Sequence, residues 1–145
     1  MHCQNVLGPM LGRTFHLARE RMDARMSQYD VTPAQSHALM YLQEHGGQVP
    51  QCELTAHLRV RPSTANGILD RMEEKGLLAR SVSGSDARRR LITITDKGRQ
   101  QQVFCEDCFQ EVEAAIVRNF TPDEVQMFRE FLGRIIQNLE EDRNL

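Results

Sequence analysis

The sequence has no tryptophan, few aromatic residues and no apolar run of the roughly 18 residues that a membrane-spanning helix needs. Its first ten residues have neither the basic start nor the apolar centre of a signal peptide. Four cysteines in 145 residues are too few for a disulfide scaffold, which favours reduced thiols or metal ligands. We therefore expect a cytoplasmic protein of one domain, with enough hydrophobic residues to bury a core.

The formal net charge of -2 conceals an uneven distribution along the chain. Residues 1–51 balance four arginines against four acidic residues, residues 52–98 hold nine basic against six acidic residues, and residues 99–145 hold five arginines against ten acidic residues. A basic middle between neutral and acidic ends is typical of a module whose centre contacts a polyanion. All but two of the 18 basic residues are arginine, which favours bidentate contacts.

Apolar residues recur at steps of three and four near both ends of the chain, which predicts long amphipathic helices. The first helix carries Leu7, Leu11, Phe15, Ala18, Met22 and Met26, another between residues 99 and 120 carries Phe104, Cys108, Val112, Ala115 and Ile116, and the last carries Val125, Phe128, Leu132, Ile135, Ile136 and Leu139. The apolar faces of these three helices are larger than a small central domain can cover. This indicates an interface between two chains. A self-contained helical bundle is the alternative.

The start and stop signals of the central helices are equally clear. The segments at 32–35 and 121–124 share a threonine N-cap, a proline and a Gln or Glu three residues after the cap. Glycines at 46 and 47 end the helix that begins at Pro33. A short helix opens near Gln51, and a further helix begins at Pro62 and stops at Gly76.

After Gly76 the spacing of apolar residues changes to the pattern typical of β-strands. Two short β-prone runs, 78–82 and 91–95, flank a polar loop that contains the three adjacent arginines 88–90. Two short helices followed by a two-stranded hairpin with a basic tip predict a winged helix-turn-helix, with the wing at residues 78–95. The fold class is therefore mainly α.

The segment after Pro62 has the chemistry of a DNA-reading surface. A proline fixes a helix N-terminus that can point at phosphate, and the small polar residues behind it can enter a major groove. Arginines at a hairpin tip can reach a minor groove, where the negative potential attracts guanidinium groups. The candidate DNA contacts are Arg61, Pro62, Ser63, Thr64, Asn66, Gly67, Arg71, Asp86, Arg88, Arg89 and Arg90. Taken singly, each is also compatible with an ordinary solvated surface.

Two segments resemble a known family. Residues 61–78, RPSTANGILDRMEEKGLL, are similar to the recognition-helix segment of the MarR family of bacterial transcriptional regulators. Residues 85–88, SDAR, followed by residues 91–98, LITITDKG, are similar to that family's wing and the start of its next helix. The resemblance covers nearly the whole chain and implies a homodimer whose recognition helices read a pseudo-palindrome. It also implies that Arg88 enters the minor groove and that Asp86 holds it by an ion pair.

On this basis we interpret residues 1–145 as a single MarR-like domain. Residues 31–98 form the DNA-binding lobe, and residues 1–30 and 99–145 form a helical dimerisation region. The resemblance also implies a small-molecule effector, bound where the first, second and fifth helices meet the DNA-binding lobe. The partners that we expect are double-stranded DNA, a second copy of the chain and such an effector, with no membrane.

Zinc is a second candidate signal, although no cofactor is certain. The candidate ligands are His16, Glu20, His37, Cys105 and Cys108, because spacings of three and four residues put both side chains of a pair on one helix face. The zinc-sensing branch of the MarR family takes its ligands from the same three helices, but its histidine-rich run on the fifth helix is missing here. Packed core residues are the alternative interpretation.

Thiol oxidation is a third candidate signal. Cys105 and Cys108 form a CxxC on a helix, and Cys3 and Cys52 are candidates for pairing across a dimer. Glu106 and Asp107 raise the expected pKa of the neighbouring thiols, which works against reactivity. Structural thiols are therefore the competing interpretation.

An enzyme is the rival class. The sequence contains no glycine-rich phosphate loop, nucleophile elbow or HExxH motif, and its acidic pairs lie at a helix cap and near a helix end. We therefore predict a sequence-specific DNA-binding transcriptional regulator, a homodimeric repressor released by an effector. The alternatives are a helical dimeric interaction protein and a metal-responsive sensor of the same fold.

Overall fold

The computed structural model describes residues 6–143, except for the side chain of Ala87. Its helices and strands follow the predicted order with two additions, a 3-10 turn after the first helix and a short strand after the second. They are α1 (Leu7–Met26), a 3-10 turn (Ser27–Tyr29), α2 (Pro33–Glu44), β1 (Gln48–Pro50), α3 (Gln51–Leu58), α4 (Pro62–Glu74), β2 (Leu78–Ser83), β3 (Asp86–Ile94), α5 (Asp96–Ile116) and α6 (Pro122–Asp142). No helix among the described residues combines the length and apolar character needed to cross a membrane.

Local capping chemistry explains why α2 and α6 begin where they do. The Thr32 hydroxyl accepts a hydrogen bond from the Gln35 amide, and the Gln35 side chain accepts one from the Thr32 amide. Thr121 and Glu124 repeat this capping box at the start of α6. Both predicted helix starts are therefore confirmed.

The three strands form one antiparallel sheet in the order β1-β3-β2. The sequence predicted the two wing strands but not β1, a three-residue strand whose Val49 lies opposite Ile92 of β3. The sequence also placed residues 83–90 in a loop, whereas β3 already begins at Asp86. This part of the prediction is wrong because residues 86–90 are mostly charged, and their pairing with β2 cannot be inferred from alternation of apolar and polar residues.

By spatial proximity the chain divides into two compact units, one through Val112 and the other from Glu113 onward. In the first unit, the core of the winged-helix lobe lies between α2, α3, α4 and the sheet. Its fully buried side chains include Leu39, Leu42, Leu54, Leu69, Met72 and Ile92. A smaller cluster joins the end of α1 and the start of α2 to α5, through Met26, Val31, Cys105 and Cys108.

The second unit holds α6, which has no buried residue among those described. Its exposed apolar residues include Met127, Phe128, Phe131, Ile136 and Leu139. Large apolar side chains on one face of a helix are costly to leave in water. The apolar face predicted for this helix is therefore present and exposed.

Candidate nucleic-acid interface

The N-terminus of α4 has no side-chain cap. Arg61 is the N-cap residue, its side chain makes no capping hydrogen bond, and Pro62 is the first helical residue. Ser63 and Thr64 follow in the first turn and are exposed. Because the first amides of a helix have no partner within the helix and carry the positive end of its dipole, this end suits a phosphate oxygen.

The outer face of α4 is polar, and its inner face is apolar. Ala65, Leu69 and Met72 are buried, whereas Asn66 and Arg71 are exposed. Arg71 Nε donates a hydrogen bond of 3.1 Å to the carbonyl oxygen of Gly67. A Cβ on Gly67 would lie 3.4 Å from Nη2 of Arg71, which is about an ordinary van der Waals contact. Asn66, Gly67 and Arg71 are all among the DNA contacts predicted from the sequence.

Asn66 has a partner that the sequence did not reveal. Nε2 of Gln51, the first residue of α3, donates a hydrogen bond of 2.6 Å to Oδ1 of Asn66. The two residues are far apart in sequence and meet because the turn between α3 and α4 brings the two helix starts together. Arg59 makes that turn in the left-handed conformation, with φ at 54°.

The wing arginines lie in an irregular part of the hairpin rather than at its tip. Val82 pairs with Arg90, but the next pair is Ser83 with Asp86, so residues 87–89 form a bulge in β3. Oδ1 of Asp86 accepts a hydrogen bond of 2.9 Å from the backbone amide of Arg88. The expected ion pair with the Arg88 guanidinium does not occur in the described part of the chain. Asp86 orders the wing backbone instead, because a bulge leaves amides without partners in the β-ladder.

One groove brings the start of α4 and the wing together. A cleft of about 520 Å³ is lined by α3 residues, by Arg59 and Pro62, and by Arg88, Arg89 and Arg90. Two of the predicted surfaces, the helix start and the arginine triplet, therefore border the same space. Sequence reasoning missed Arg59, which adds a fourth guanidinium at this groove.

Three of the nine basic residues in 52–98 are engaged inside the fold. Arg80 of β2 forms ion pairs with Asp70 and Glu73 of α4, and the hydrogen bond that Arg80 donates to Asp70 raises the pKa of Arg80. Lys75 Nζ donates to the carbonyl oxygen of Asp30 at 2.7 Å and to Gln35 Oε1 at 3.1 Å, while Lys97 Nζ donates to the carbonyl oxygen of Lys75 at 2.6 Å. The six remaining basic residues are exposed arginines: Arg59, Arg61, Arg71, Arg88, Arg89 and Arg90.

The five candidate zinc ligands do not converge. Among residues 6–143, no group of three or more His, Cys, Asp or Glu side chains could hold a metal ion. His16 and Glu20 border a shallow groove on α1 together with Arg19 and Asp23, and His37 is exposed on α2. Cys105 and Cys108 lie in the small core cluster with Met26 and Val31. These residues do not fit a tetrahedral zinc site within one chain.

The described cysteines differ in exposure. Burial raises the pKa of both the Cys105 and the Cys108 thiols, which lowers the thiolate fraction at neutral pH. Cys52 is exposed and borders the groove that is lined by the wing arginines. Cys3, the expected partner of Cys52 across a dimer, lies outside the described residues.

We predict that Cys52 reacts with iodoacetamide at neutral pH at least about tenfold faster than Cys105 or Cys108, because thiolate and access both control alkylation. Timed alkylation of the folded protein, followed by peptide mass spectrometry, measures the three rates separately. Denatured protein is the control, and the three rates should converge there. Fast labelling of Cys105 in the folded protein would contradict its burial.

Comparison with known proteins agrees with this geometry. A model of the MarR family matches residues 29–89, which span α2, α3, α4 and most of the wing. HTH-type transcriptional repressors from Mycobacterium tuberculosis and Mycobacterium bovis are each 26% identical over 129 residues, which is 89% of this chain and 92% of theirs.

Solved structures share the whole architecture. A glycine-to-lysine mutant of S. aureus MepR is 26% identical, with a TM-score of 0.76 over 91% of this chain and 98% of that one. A cysteine-to-serine mutant of E. coli MarR, complexed with operator DNA, is 25% identical, with a TM-score of 0.73 over 93% of this chain and 99% of that one. The uncapped helix start, the arginine wing and these similarities lead to one conclusion: the chain has the DNA-binding winged-helix fold of MarR-family transcriptional regulators, and residues 29–89 match that family's model.

Proposed function

We propose that this protein is a homodimeric repressor that binds a pseudo-palindromic operator in double-stranded DNA and leaves it when an effector binds. The observation that carries the proposal is the shared groove, where Pro62 at the start of α4 and the three wing arginines border one space. A helix start and a basic wing on one side of the lobe suit a major groove and the adjacent minor groove. The similarity to E. coli MarR, which was solved in complex with operator DNA, supports the same conclusion.

In the proposed complex, α4 lies in the major groove. Asn66 and Arg71 face base edges, and the free amides of the first turn face a phosphate. Arg88 and its neighbours reach the flanking minor groove or the phosphates beside it. Two copies of the lobe then read half-sites about one helical turn apart.

A homodimer is proposed because both long terminal helices expose apolar side chains. On α1 these include Leu7, Met10, Phe15 and Leu17, and on α6 they include Phe128, Phe131, Ile136 and Leu139. Contiguous apolar surface of this kind marks protein interfaces, and a second copy of the same chain is the usual partner in soluble oligomers.

A small organic effector is proposed to act at the junction of α1, α2 and α5. Tyr29 stacks on Phe104 there, with ring centroids 4.9 Å apart. Lys75, next to the end of α4, is hydrogen-bonded to Asp30 and Gln35 at the same junction. A ligand that moves the start of α2 would therefore disturb the end of α4 as well. Operator binding in the presence of small organic ligands tests this part of the proposal.

The Arg88→Ala variant tests the wing. We expect affinity for the operator and for unrelated duplexes to fall about tenfold or more, since a guanidinium in or beside the minor groove contributes without reading bases. A dimer carries two copies of Arg88, so the slope of log affinity against log salt should become shallower by up to about two. Fluorescence anisotropy over a salt series measures both quantities.

Arg13→Ala is the matched control, because it removes an exposed arginine from α1 rather than from the groove. It should leave the affinity and the salt slope unchanged. Unchanged binding in the Arg88 variant would remove this residue from the interface. Wild-type protein that ignores duplex DNA even at low ionic strength would refute the proposed function and favour a helical interaction protein.

A further inference from the structure

The Asn66 amide is held in one orientation by Gln51. Nε2 of Gln51 donates to Oδ1 of Asn66 at 2.6 Å, so the Asn66 oxygen already serves as an acceptor within the protein. Asn66 is exposed on the outer face of α4, next to half-buried Gly67 and five residues before Arg71. Nδ2, which carries two N–H donors, is therefore fully available to a ligand, whereas Oδ1 has one of its two lone pairs engaged.

The carbonyl oxygen of the Gln51 side chain determines which residue donates in the hydrogen bond between Gln51 and Asn66. Oε1 of Gln51 is buried, and it has no hydrogen-bond partner in the described part of the chain. Turning the Gln51 amide over would bury its NH2 group at that position and leave two donors without partners in place of one acceptor. The arrangement in which Gln51 donates and Asn66 accepts therefore leaves fewer buried polar groups unsatisfied.

We propose that Gln51 is a positioning residue that sets which bases Asn66 reads, an inference that rests on the proposed function. An unrestrained asparagine offers both a donor and an acceptor and pairs bidentately with N6 and N7 of adenine. Held by Gln51, Asn66 presents both N–H donors of Nδ2 but only one of the two lone pairs of Oδ1, so its donors predominate. It should therefore favour base edges rich in acceptors, above all guanine with its N7 and O6, and thymine through O4.

Selection of binding sites from a randomised duplex library tests this proposal. Asn66→Ala first identifies the base position that Asn66 reads, as the position where preference is lost. At that position the wild-type protein should select guanine or thymine. Gln51→Leu should shift selection toward adenine, because it frees both ends of the Asn66 amide.

Gln51→Glu is the sharper variant. A carboxylate accepts and cannot donate, so Asn66 must turn its Nδ2 toward residue 51 and present its oxygen outward. Selection should then shift toward cytosine or adenine, whose exocyclic amino groups are donors in the major groove. Because one net hydrogen bond is at stake, we expect each shift to be about threefold to tenfold.

Cys52→Asp controls for the added charge, since Cys52 is exposed and directly follows Gln51. It should weaken binding to all sequences without changing the preferred base. Thermal unfolding of each variant, followed by circular dichroism, checks that the fold is intact.

The possible outcomes separate the two proposals. An unchanged base preference in both Gln51 variants, at the position that Asn66→Ala identifies, overturns the role of Gln51 and leaves the regulator function standing. An Asn66→Ala variant that selects the wild-type sequence at every position overturns it too. Wild-type protein that enriches no sequence refutes the proposed function itself.

Discussion

A Phe128→Asp, Phe131→Asp double variant is expected to be monomeric and to lose at least about a hundredfold in operator affinity. Both rings lie on α6 and are 43% and 47% exposed within one chain, so they have no full packing partner inside it. Two carboxylates in the centre of an apolar interface would be desolvated without partners, which strongly opposes association. A monomer would then bind one half-site and lose the gain from simultaneous engagement of two recognition helices.

The measurement pairs oligomeric state with DNA binding. Sedimentation equilibrium gives the mass in solution, and fluorescence anisotropy gives the affinity for the full operator and for an isolated half-site. The variant should bind the two duplexes about equally, whereas the wild-type protein should strongly prefer the full operator. The capping box of Thr121 and Glu124 is untouched, so α6 retains its start signal.

Gln126→Asp, Gln137→Asp is the matched control. It adds the same two charges to α6, but helical spacing puts both positions on the side opposite the two phenylalanines. The control should stay dimeric and retain its affinity. A phenylalanine double variant that sediments as a dimer would show that the α6 apolar face is not the interface, and dimerisation would have to be sought on α1.

Helix boundaries could be predicted from this sequence because their causes are local. The capping boxes at Thr32 and Thr121 each involve residues three apart, and Pro62 and Gly76 act through their own backbone preferences. The order of helices and the winged-helix fold followed from these signals together with the resemblance of the wing and the recognition helix to those of the MarR family.

Features that depend on pairing between distant segments could not be predicted in the same way. β1 is a strand because Val49 finds Ile92 in β3, and three residues are too few to show a strand period. The bulge in the wing depends on the shift in register between β2 and β3 at Val82 and Ser83. The bond between Gln51 and Asn66 depends on the turn between two helices, and nothing in the sequence around either residue signals it.

The candidate zinc site shows the limit of spacing arguments. Cys105 and Cys108 do share a helix face, as their spacing predicts, but the rotation of α5 turns that face into the core. His37 lies on α2 with its side chain exposed, whereas its neighbours Ser36 and Ala38 are buried. Spacing tells which side chains share a face of one helix, and packing decides which face meets another helix.

Gly98→Ala is expected to destabilise the protein by about 3 kcal/mol, at the upper end of the usual cost of overpacking. Gly98 is buried in the first turn of α5, where the chain leaves the wing. An added Cβ would overlap the carbonyl oxygen of Leu77 and lie 2.8 Å from Cγ1 of Ile94. The same carbonyl accepts a hydrogen bond of 3.2 Å from the Thr95 amide. It therefore cannot move away from the added Cβ without weakening this hydrogen bond, which joins the wing to α5.

Urea unfolding at a fixed protein concentration measures the loss, because the stability of the proposed dimer would depend on concentration. The thermal midpoint should fall by on the order of 10 °C. Gly12→Ala is the control. Gly12 lies in α1, nothing lies within 4 Å of its added Cβ, and replacing a helical glycine by alanine should stabilise the protein by about 0.5–1 kcal/mol.

Because β3 leads directly into the junction between the wing and α5, the Gly98 variant should also weaken operator binding at temperatures where it is still folded. A Gly98→Ala protein as stable as the wild type would mean that the start of α5 does not pack against Leu77 in solution.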